Sequence, residues 1–451
     1  MISIAMGIVS HASDDIALRF AEIHPPLTDQ AAIVEADRCL YCFDAPCAFA
    51  CPTHIDVPGF IKKIATGNLR GSALTILDAN ILGLSCSRVC PVDVLCEGSC
   101  VMQRYNQKPI EIGLLQRHAM DAFYSAGPRV PVAGPRPAAA GRVACIGGGP
   151  ASLACAAELR RHGCPVTIFD DRPLPGGLNT YGVAEYKLRP SDSLREVDLV
   201  RSLGVEFRQA EVGATVSLDD IEKEFDYVFV GVGLGAMERL GIPGEDRAEV
   251  IDALRFIAHY KTSHDAKVGR VVVVIGGGNT AIDAANAARR LGADEVHIFY
   301  RRTEKEMPAF PFEYEHAKLE GVQFHWLAQP VEIVDRAVKF VSTQLDEPDE
   351  SGRRKARPLP GTEFAFVCDM VIPAVGQAPL MKLLHEARGI QLRGGLIAVD
   401  RPTGRTAHER YYAGGDCVNG GREVVDAVAD GKRAGTAIAR AAETRLETLG
   451  G

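Results

Sequence analysis

The stretch RVACIGGGPASLACAAELRRHGCPVTIFDD spans residues 142–171, and its pattern predicts a strand, a glycine-rich turn, an alanine-rich helix and a second strand. A second stretch, RVVVVIGGGNTAIDAANAARRLGADEVHIFYRR at residues 270–302, repeats the same order. Parallel strands joined by a crossover helix are the building units of doubly wound sheets. The repeat therefore predicts an α/β chain with two Rossmann-like dinucleotide-binding folds.

The glycine-rich turn of the first stretch predicts a nucleotide site. Its glycines would let backbone N–H groups approach a pyrophosphate at the helix N-terminus, although Ser152 replaces the third glycine of the fingerprint. The next strand ends about twenty residues on in Asp170, whose carboxylate suits ribose hydroxyls. Near the C-terminus, YYAGGDC carries Asp416, which could bind the ribityl chain of a flavin, so FAD is the expected occupant. The candidate FAD-binding residues are Gly147, Gly149, Pro150, Ala151, Asp170, Gly177, Leu178, Gly415 and Asp416.

The second stretch predicts a site for a nicotinamide nucleotide. When VHIFYRR is aligned with VTIFD, Tyr300 takes the position of Asp170 and is followed by Arg301 and Arg302. Guanidinium groups bind a 2′-phosphate that a carboxylate would repel, which favours NADPH over NADH. The alternative is that both arginines are solvated surface residues. The candidate residues are Gly276, Gly278, Asn279, Thr280, Arg301 and Arg302, and no catalytic residue is identified.

Ahead of both stretches lie two runs of cysteines. CLYCFDAPCAFACP covers residues 39–52, and CSRVCPVDVLCEGSC covers residues 86–100. Bacterial ferredoxins carry a related run that also ends in Cys-Pro, and eight soft thiolates suit two [4Fe–4S] clusters. The alternatives are buried cysteines or a structural zinc site, which typically uses two short pairs per ion. The other five cysteines are scattered through the predicted strands and helices and are expected in the core.

Composition and charge limit the kinds of binding partner and the cellular location that the chain is expected to have. The chain has 451 residues, 47% of them hydrophobic, and a formal net charge of −8. This balance favours neither nucleic acid nor a membrane surface as a partner. The N-terminus lacks the basic region of a signal peptide, and no apolar run reaches the roughly 18 residues of a membrane span. A cytoplasmic location is expected, where thiols stay reduced and many cysteines indicate metal or redox chemistry.

The predicted domain order follows from these motifs. Residues 127–141, GPRVPVAGPRPAAAG, are rich in proline, glycine and alanine and predict a linker. DEPDESGRRKARP at residues 346–358 predicts a solvated hairpin tip. The expected domains are an α-helical iron–sulfur domain at 1–135, an FAD-binding domain at 136–263 and 376–451, and an NAD(P)H-binding domain at 264–375.

Residues 35 to 445 resemble a module shared by three kinds of protein. These are the glutamate synthase small subunit, the N-terminal half of eukaryotic dihydropyrimidine dehydrogenase, and the flavin subunit of bacterial NAD-dependent dihydropyrimidine dehydrogenase. The resemblance rests on both cysteine runs and on IGGGPAS, GGL at 176–178, YKLRP, IGGGNTA and AGGDCVNGGREVVDAVADGKRAG. It implies electron flow from a nicotinamide nucleotide through FAD to two [4Fe–4S] clusters.

The resemblance also implies the cluster ligands. One cluster would be held by Cys39, Cys42, Cys47 and Cys100. The other would be held by Cys51, Cys90, Cys96 and the side-chain carbonyl of Gln116. Cys86 would then bind no iron, although thiol counting alone would select it.

A finer functional expectation comes from IGLLQR. Gln116 matches the pyrimidine branch, whereas glutamate synthase small subunits typically carry glutamate there. Pyrimidine reduction in that family uses FMN in a barrel of about 250 residues, for which this sequence has no remaining length. The resemblance thus implies an electron-input subunit of a hetero-oligomer such as a heterotetramer, whose FMN- and iron–sulfur-containing partner reduces uracil or thymine.

Three alternatives stay open at this point. The chain could be a glutamate synthase small subunit-type NADPH oxidoreductase that feeds another acceptor subunit. It could also be a non-catalytic docking subunit, although the phosphate loops, Asp170 and Asp416 are intact. The bacterial two-subunit pyrimidine enzymes use NADH, whereas Arg301 and Arg302 favour NADPH, so either nucleotide is a possible substrate.

Overall fold

The computed structural model describes residues 18–130, 141–263, 266–350, 352–380 and 389–450, with no side chains for 446–450. The N-terminal residues considered for a signal peptide and most of the predicted linker lie outside these ranges, as does Ser351 of the predicted hairpin tip. The chain forms two compact units. One comprises Met1–Ile23, Tyr181–Arg189 and Gly235–Ala378, and the other comprises His24–Thr180, Pro190–Leu234 and Pro379–Gly451.

The part that carries the cysteine runs is helical, as predicted. Its helices are α1 (Asp29–Asp37), α2 (Pro46–Ala50), α3 (Val57–Ala65), α4 (Leu69–Ala79), α5 (Gly83–Val89) and α6 (Ile112–Ser125). Side-chain caps fix the starts of α1, α3 and α4. The Asp56 Oδ1 accepts from the Gly59 N at 2.9 Å before α3, and the Asn68 Oδ1 accepts from the Gly71 N at 2.9 Å before α4. The apolar faces of α3, α4 and α6 pack into one core.

The first predicted dinucleotide fold is a five-stranded parallel sheet. Its strands are β1 (Val143–Ile146), β2 (Val166–Asp170), β3 (Glu206–Gln209), β4 (Tyr227–Val230) and, from the C-terminal part, β15 (Tyr411–Ala413). The order is β15-β4-β1-β2-β3. Its helices are α7 (Pro150–Arg161), α8 (Leu178–Tyr181), α9 (Pro190–Ser202), α10 (Leu218–Glu224), α14 (Asp416–Asn419) and α15 (Val424–Gly450). Because β15 completes the sheet from far along the sequence, the discontinuous fold is confirmed.

The second predicted fold is a four-stranded parallel sheet in the order β12-β5-β6-β7. Its strands are β5 (Val271–Ile275), β6 (Glu295–Tyr300), β7 (Gln323–Trp326) and β12 (Met370–Pro373). Its helices are α11 (Ala253–Ser263), α12 (Asn279–Leu291) and α13 (Pro311–Leu319). The mixed α/β architecture therefore agrees with the sequence, and the exact domain boundaries stay predictions.

A small antiparallel sheet lies between β7 and β12 in the sequence. It consists of β8 (Ala328–Val334), β9 (Ala337–Pro348), β10 (Arg354–Pro358) and β11 (Phe364–Val367). The hairpin of β9 and β10 includes the predicted tip, and Arg354 pairs with Pro348. A two-stranded sheet of β13 (Leu392–Arg393) and β14 (Leu396–Ile397) completes the strands of the described ranges. In those same ranges, no helix has the length and apolar character to cross a membrane.

Candidate functional site

Four cysteines that are far apart in the sequence line one pocket. Cys39, Cys42, Cys47 and Cys100 line a small pocket that is partly open to solvent. The side chain of Ile61, from α3, contributes to its apolar wall. These are the four cysteines that the resemblance assigned to one cluster, and the structure brings them together.

The electrostatics of this pocket suit a cationic occupant. Burial, followed by the charges of the neighbouring Cys100 and Cys39, raises the pKa of the Cys47 thiol to about 12. Burial also raises the pKa of Cys39. Several thiolates cannot coexist this closely without a positive group, whereas coordinated iron keeps them deprotonated. The donor set therefore fits an iron–sulfur cluster.

A second group of thiols gathers around Cys90. A hydrogen bond with the Cys86 thiol, then burial, raises the pKa of Cys90 well above its usual value, and Cys96 and Cys51 act in the same direction. Burial likewise raises the pKa of Cys96, followed by the charges of Glu97 and Cys51. The structure thus places the three cysteines predicted for the other cluster near one another, together with Cys86.

The choice between Cys86 and Gln116 as a ligand stays a prediction. Cys86 is buried on α5, next to Cys90. Gln116 is buried on α6, and its Nε2 donates to the carbonyl oxygen of Gly83, the first residue of α5, at 2.8 Å. The amide nitrogen of Gln116 is thereby fixed. The carbonyl oxygen is the atom of this amide that could bind a metal, because the nitrogen has no free lone pair.

Single-ion sites are a separate question. In the part of the chain that the structure describes, no group of three or more His, Cys, Asp or Glu side chains is arranged to hold one metal ion. A cubane cluster takes one thiolate per iron, so its four sulfur ligands stand farther apart than those around one ion. The finding therefore bears on single-ion sites only.

Glu196 anchors the helix that carries Cys86, a contact that the sequence analysis did not predict. The Glu196 Oε1 accepts from the backbone N of Leu84 at 2.8 Å and of Ser85 at 3.0 Å. Its Oε2 accepts from the Ser85 hydroxyl. Glu196 lies on α9 of the first dinucleotide fold, so one buried carboxylate ties that fold to the first turn of α5. Burial raises the pKa of Glu196 to about 7, although the hydrogen bonds from Ser85 and Leu84 oppose the shift.

We expect Glu196→Gln to remove a pH dependence of stability. The folded-state pKa lies above the usual value, so the stability is greatest when the carboxyl is protonated and falls as the pH rises towards about 7. Glutamine keeps an oxygen for the Leu84 and Ser85 N–H groups but does not titrate. Between pH 5 and pH 8 the wild type should lose about 2–3 kcal/mol of unfolding free energy relative to the variant, measured by urea denaturation. Parallel pH profiles of the two proteins would contradict this.

The first fingerprint loop has the geometry of a phosphate cradle. Gly147 has a φ of +91°, and a Cβ there would lie 2.7 Å from the Gly231 carbonyl oxygen. Gly149 is the N-cap of α7. The GGL segment packs on it, because a Cβ on Gly177 would lie 2.7 Å from the Gly149 Cα. Side chains at these positions would fill the cradle, so the site fits a dinucleotide pyrophosphate.

The two candidate carboxylates of this fold, Asp170 and Asp416, are both partly buried. The Asp170 Oδ1 accepts from the Arg172 N at 2.8 Å, and its Oδ2 accepts from the Gly148 N. Burial raises the pKa of Asp170 and of Asp416. The Asp416 segment meets the fingerprint helix, since a Cβ on Gly415 would lie 3.0 Å from the Ala151 Cβ. The predicted FAD residues near both ends of the fold therefore converge.

This convergence depends on a close contact between α7 and α15. A Cβ on Gly431 would lie 2.0 Å from the Ala151 carbonyl oxygen, and one on Gly435 would lie 2.9 Å from the Cys155 carbonyl oxygen. The backbones of the two helices approach each other where only glycine fits. Both glycines belong to ADGKRAG, a segment on which the resemblance rests, and this close approach is the physical reason for them.

The second fingerprint loop has the same construction. Gly276 has a φ of +151°, and a Cβ there would lie 2.2 Å from the Ala374 carbonyl oxygen. Gly278, the N-cap of α12, faces open space, with no atom within 4 Å of a Cβ. Tyr300 covers Gly277, as Asp170 faces Gly148 in the first fold. The alignment of Tyr300 with Asp170 therefore holds in three dimensions.

The remaining predicted residues of this site differ in what they contact. The Asn279 Oδ1 accepts from the Phe310 N at 3.0 Å and so holds a neighbouring loop, while Thr280 is half-buried. Arg301 is exposed. Arg302 is half-buried, and its Nε has no hydrogen-bond partner among the described residues. The pair follows directly after β6, where a bound nucleotide would place its adenosine ribose.

YKLRP forms a buried ion cluster that the sequence did not predict. The Lys187 Nζ lies 2.5 Å from the Asp283 Oδ1 and 2.7 Å from the Glu313 Oε2. The Tyr186 hydroxyl donates to the Asp283 Oδ1 at 2.9 Å. Burial lowers the pKa of Lys187, but Asp283 and Glu313 outweigh this and raise it. The cluster fixes this segment to α12, the helix behind the second fingerprint loop.

Comparison with protein families matches two successive parts of the chain. Residues 16–127 match the family described as dihydropyrimidine dehydrogenase domain II, 4Fe-4S cluster. Residues 141–431 match the pyridine nucleotide-disulphide oxidoreductase family.

Known proteins extend this similarity along the chain. The glutamate synthase [NADPH] small chain of Escherichia coli is 36% identical over 93% of each chain. The NADP(+)-dependent formate dehydrogenase subunit beta of Moorella thermoacetica is 39% identical over 87% of this chain, which spans 59% of that relative. Among solved structures, Mycobacterium tuberculosis FprA in complex with NADPH matches 69% of this chain and 86% of its own, with 20% identity and a TM-score of 0.57. That likeness shows the fold alone.

Proposed function

The chain belongs to the pyridine nucleotide-disulphide oxidoreductase family, with a 4Fe-4S domain ahead of it as in glutamate synthase small chains, and from this we propose that it is an NADPH-oxidising electron-input flavoprotein. One observation carries the proposal: the same chain holds two glycine cradles and a pocket lined by four cysteines. A docking subunit without catalytic activity would not need to keep the two cradles and the cysteine pocket.

On the nicotinamide side, the chain binds and orients the nucleotide. The N-terminus of α12 and the backbone at Gly278 receive the pyrophosphate, because that end of the helix is open and carries a positive partial charge. Arg301 and Arg302 receive a 2′-phosphate. Tyr300 in place of an acidic residue removes the repulsion that a carboxylate would exert on that phosphate.

On the flavin side, the first cradle holds the second nucleotide. Gly147 and Gly149 place the pyrophosphate at the N-terminus of α7, Asp170 binds ribose hydroxyls and Asp416 binds the ribityl chain. When bound, FAD supplies the ability to take two electrons from a nicotinamide and to release them singly. The cysteine groups then hold the clusters that conduct those electrons away from the flavin.

We further propose that the acceptor lies in a partner subunit. The relatives named above are a small chain and a beta subunit, and they favour a glutamate synthase small chain-type role over the pyrimidine-specific one. The partner subunit determines which compound finally accepts the electrons. Our proposal for this chain is NADPH oxidation and electron delivery.

A second candidate is the flavin subunit of a dihydropyrimidine dehydrogenase. Gln116 favours it, because glutamine at this position matches the pyrimidine branch. The description of the family that matches residues 16–127 points in the same direction. The partner would then carry FMN and iron–sulfur clusters and would reduce uracil or thymine.

The test of the proposed function is a redox assay on the purified chain. Prepared anaerobically, it should contain FAD, about eight iron and about eight acid-labile sulfide. It should reduce ferricyanide with NADPH and should leave uracil and thymine unchanged. Stoichiometric zinc with little iron, or no NADPH-dependent ferricyanide reduction, would overturn the proposal.

Purification of the tagged chain from its native source distinguishes the two candidates. The partner that co-purifies is identified by mass spectrometry, and the complex is assayed with glutamine plus 2-oxoglutarate and with uracil. Uracil reduction by the complex would establish the second candidate and exclude the first. Turnover with glutamine plus 2-oxoglutarate would establish the glutamate synthase small chain-type role and exclude the pyrimidine one.

A further inference from the structure

The hairpin of β9 and β10 is attached to the loop that follows β6. The Thr343 hydroxyl, on β9, donates to the Arg301 carbonyl oxygen at 2.7 Å. The Arg354 Nη1, on β10, lies 3.6 Å from the Glu306 Oε1. The carbonyl oxygen of Glu306 accepts from the Tyr300 hydroxyl at 2.9 Å. Both strands of the hairpin are thus connected to the segment that carries Tyr300, Arg301 and Arg302.

The turn of this hairpin is ordered by its own hydrogen bonds. The Arg353 N donates to the Asp349 Oδ1 at 3.0 Å, and the Asp349 N donates to the Arg353 carbonyl oxygen at 3.0 Å. The Arg354 Nε donates to the Asp346 carbonyl oxygen at 3.0 Å. These bonds use the backbone of Arg353 and the side chain of Arg354, so the Arg353 guanidinium takes no part in the turn.

Three guanidinium groups in this region have no partner. Within the described ranges, the side chains of Arg301, Arg302 and Arg353 form no hydrogen bond or ion pair, and the Arg302 Nε is also buried. The charges of all three arginines lower the pKa of Tyr300, against the larger effect of burial, so the three guanidinium groups lie within electrostatic range of the Tyr300 hydroxyl. Like charges gathered in one place repel each other, and a bound anion relieves that repulsion.

We propose that Arg353 is a third phosphate-binding residue of the nucleotide site, carried by the β9–β10 hairpin and selective for nucleotides with a 2′-phosphate. The ion pair of Arg354 with Glu306 positions the hairpin, and Arg353 supplies the charge. The three terminal oxygens of a phosphate dianion can accept more hydrogen bonds than two bidentate arginines donate, which leaves acceptors for a third guanidinium. This inference rests on the proposed function, since it concerns the same nicotinamide nucleotide.

The test compares four proteins in the full, FAD-loaded chain. They are the wild type, Arg353→Ala, the double variant Arg301→Ala/Arg302→Ala, and the control Arg357→Ala. Arg357 is exposed on the same hairpin but interacts with Asp346 at 3.3 Å. Dissociation constants of NADPH, NADH, 2′,5′-ADP and 5′-ADP are measured by titration at low and high salt. Circular dichroism and the FAD content confirm that each variant is folded.

We expect Arg353→Ala to raise the dissociation constants of NADPH and 2′,5′-ADP about five- to tenfold. The dissociation constants of NADH and 5′-ADP should stay unchanged. The loss should shrink at high salt, because exposed charges are screened, and Arg353→Lys should recover part of it. Arg357→Ala should match the wild type. An equal loss for all four ligands, or no loss for any, overturns the role of Arg353 while leaving the site itself in place. If the double variant also binds NADPH normally, the proposed NADPH site fails as well.

Discussion

Gln116→Ala is expected to abolish most electron delivery to the partner subunit while NADPH-dependent dye reduction continues. The substitution removes the proposed oxygen ligand of the second cluster, whereas the flavin and the nicotinamide site are untouched. Iron should fall from about eight to about four per chain, and the partner-coupled rate should fall more than tenfold. Iron analysis, electron paramagnetic resonance of the reduced protein and parallel assays with dye and with partner measure these effects.

Two matched variants separate ligation from support of the fold. The Gln116 side chain also bonds the Gly83 carbonyl oxygen, so alanine could act through the position of α5. Gln116→Glu keeps an oxygen ligand and loses the donor, and it should retain eight iron. Cys86→Ala should have little effect, because the resemblance leaves that thiol without iron. The ligand assignment is wrong if Cys86→Ala loses the cluster and Gln116→Ala keeps it.

Gly431→Ala is expected to destabilise the flavin fold and to lower its FAD content. The added methyl group would lie 2.0 Å from the Ala151 carbonyl oxygen, which is backbone and cannot rotate away. The helices α7 and α15 would have to separate, and overpacking of this kind costs about 1–3 kcal/mol or more. Because α7 begins at the first phosphate cradle, the cradle would widen. The thermal midpoint and the FAD-to-protein ratio measure the effect.

Arg440→Ala provides the matched control for this helix. Arg440 lies on the exposed face of α15, and alanine there should change the thermal midpoint very little. If Gly431→Ala and Arg440→Ala have the same midpoint and the same FAD content, the close contact of the two helices does not hold the cradle.

The parts of the fold that the sequence predicted are those encoded in consecutive residues. Strand, glycine turn and helix follow one another within each fingerprint stretch, so the two parallel sheets could be inferred without tertiary information. The alignment of Tyr300 with Asp170 also held, because each residue ends the strand next to its glycine loop. Local patterns of this kind depend on backbone sterics and helix-terminal charge, both of which act over a few residues.

The contacts that escaped prediction join residues far apart in the chain. Glu196 caps α5 from another fold, and nothing in its own neighbourhood distinguishes it from a surface acid. Gly431 is required only because Ala151 lies opposite it. Lys187 becomes part of an ion cluster only when Asp283 and Glu313 are brought to it. The grouping of the cysteines likewise came from the resemblance, since spacing alone would have chosen Cys86.

The order of the cysteines along the chain has a consequence for how the protein matures. Cys39, Cys42 and Cys47 meet Cys100 in one pocket, so the thiols around Cys90 lie within the segment that this pocket closes. The thiols of the two groups are nested, whereas Gln116, the proposed fourth ligand of the inner group, follows Cys100 in the sequence. Closing the inner group first shortens the loop that remains for the outer one and lowers its entropic cost. With the ligands proposed for the outer pocket, a ribosome-bound chain that has not yet released Cys100 presents only three of that pocket's four thiols to an iron–sulfur donor. Insertion of a cluster there would have to wait until translation has passed Cys100.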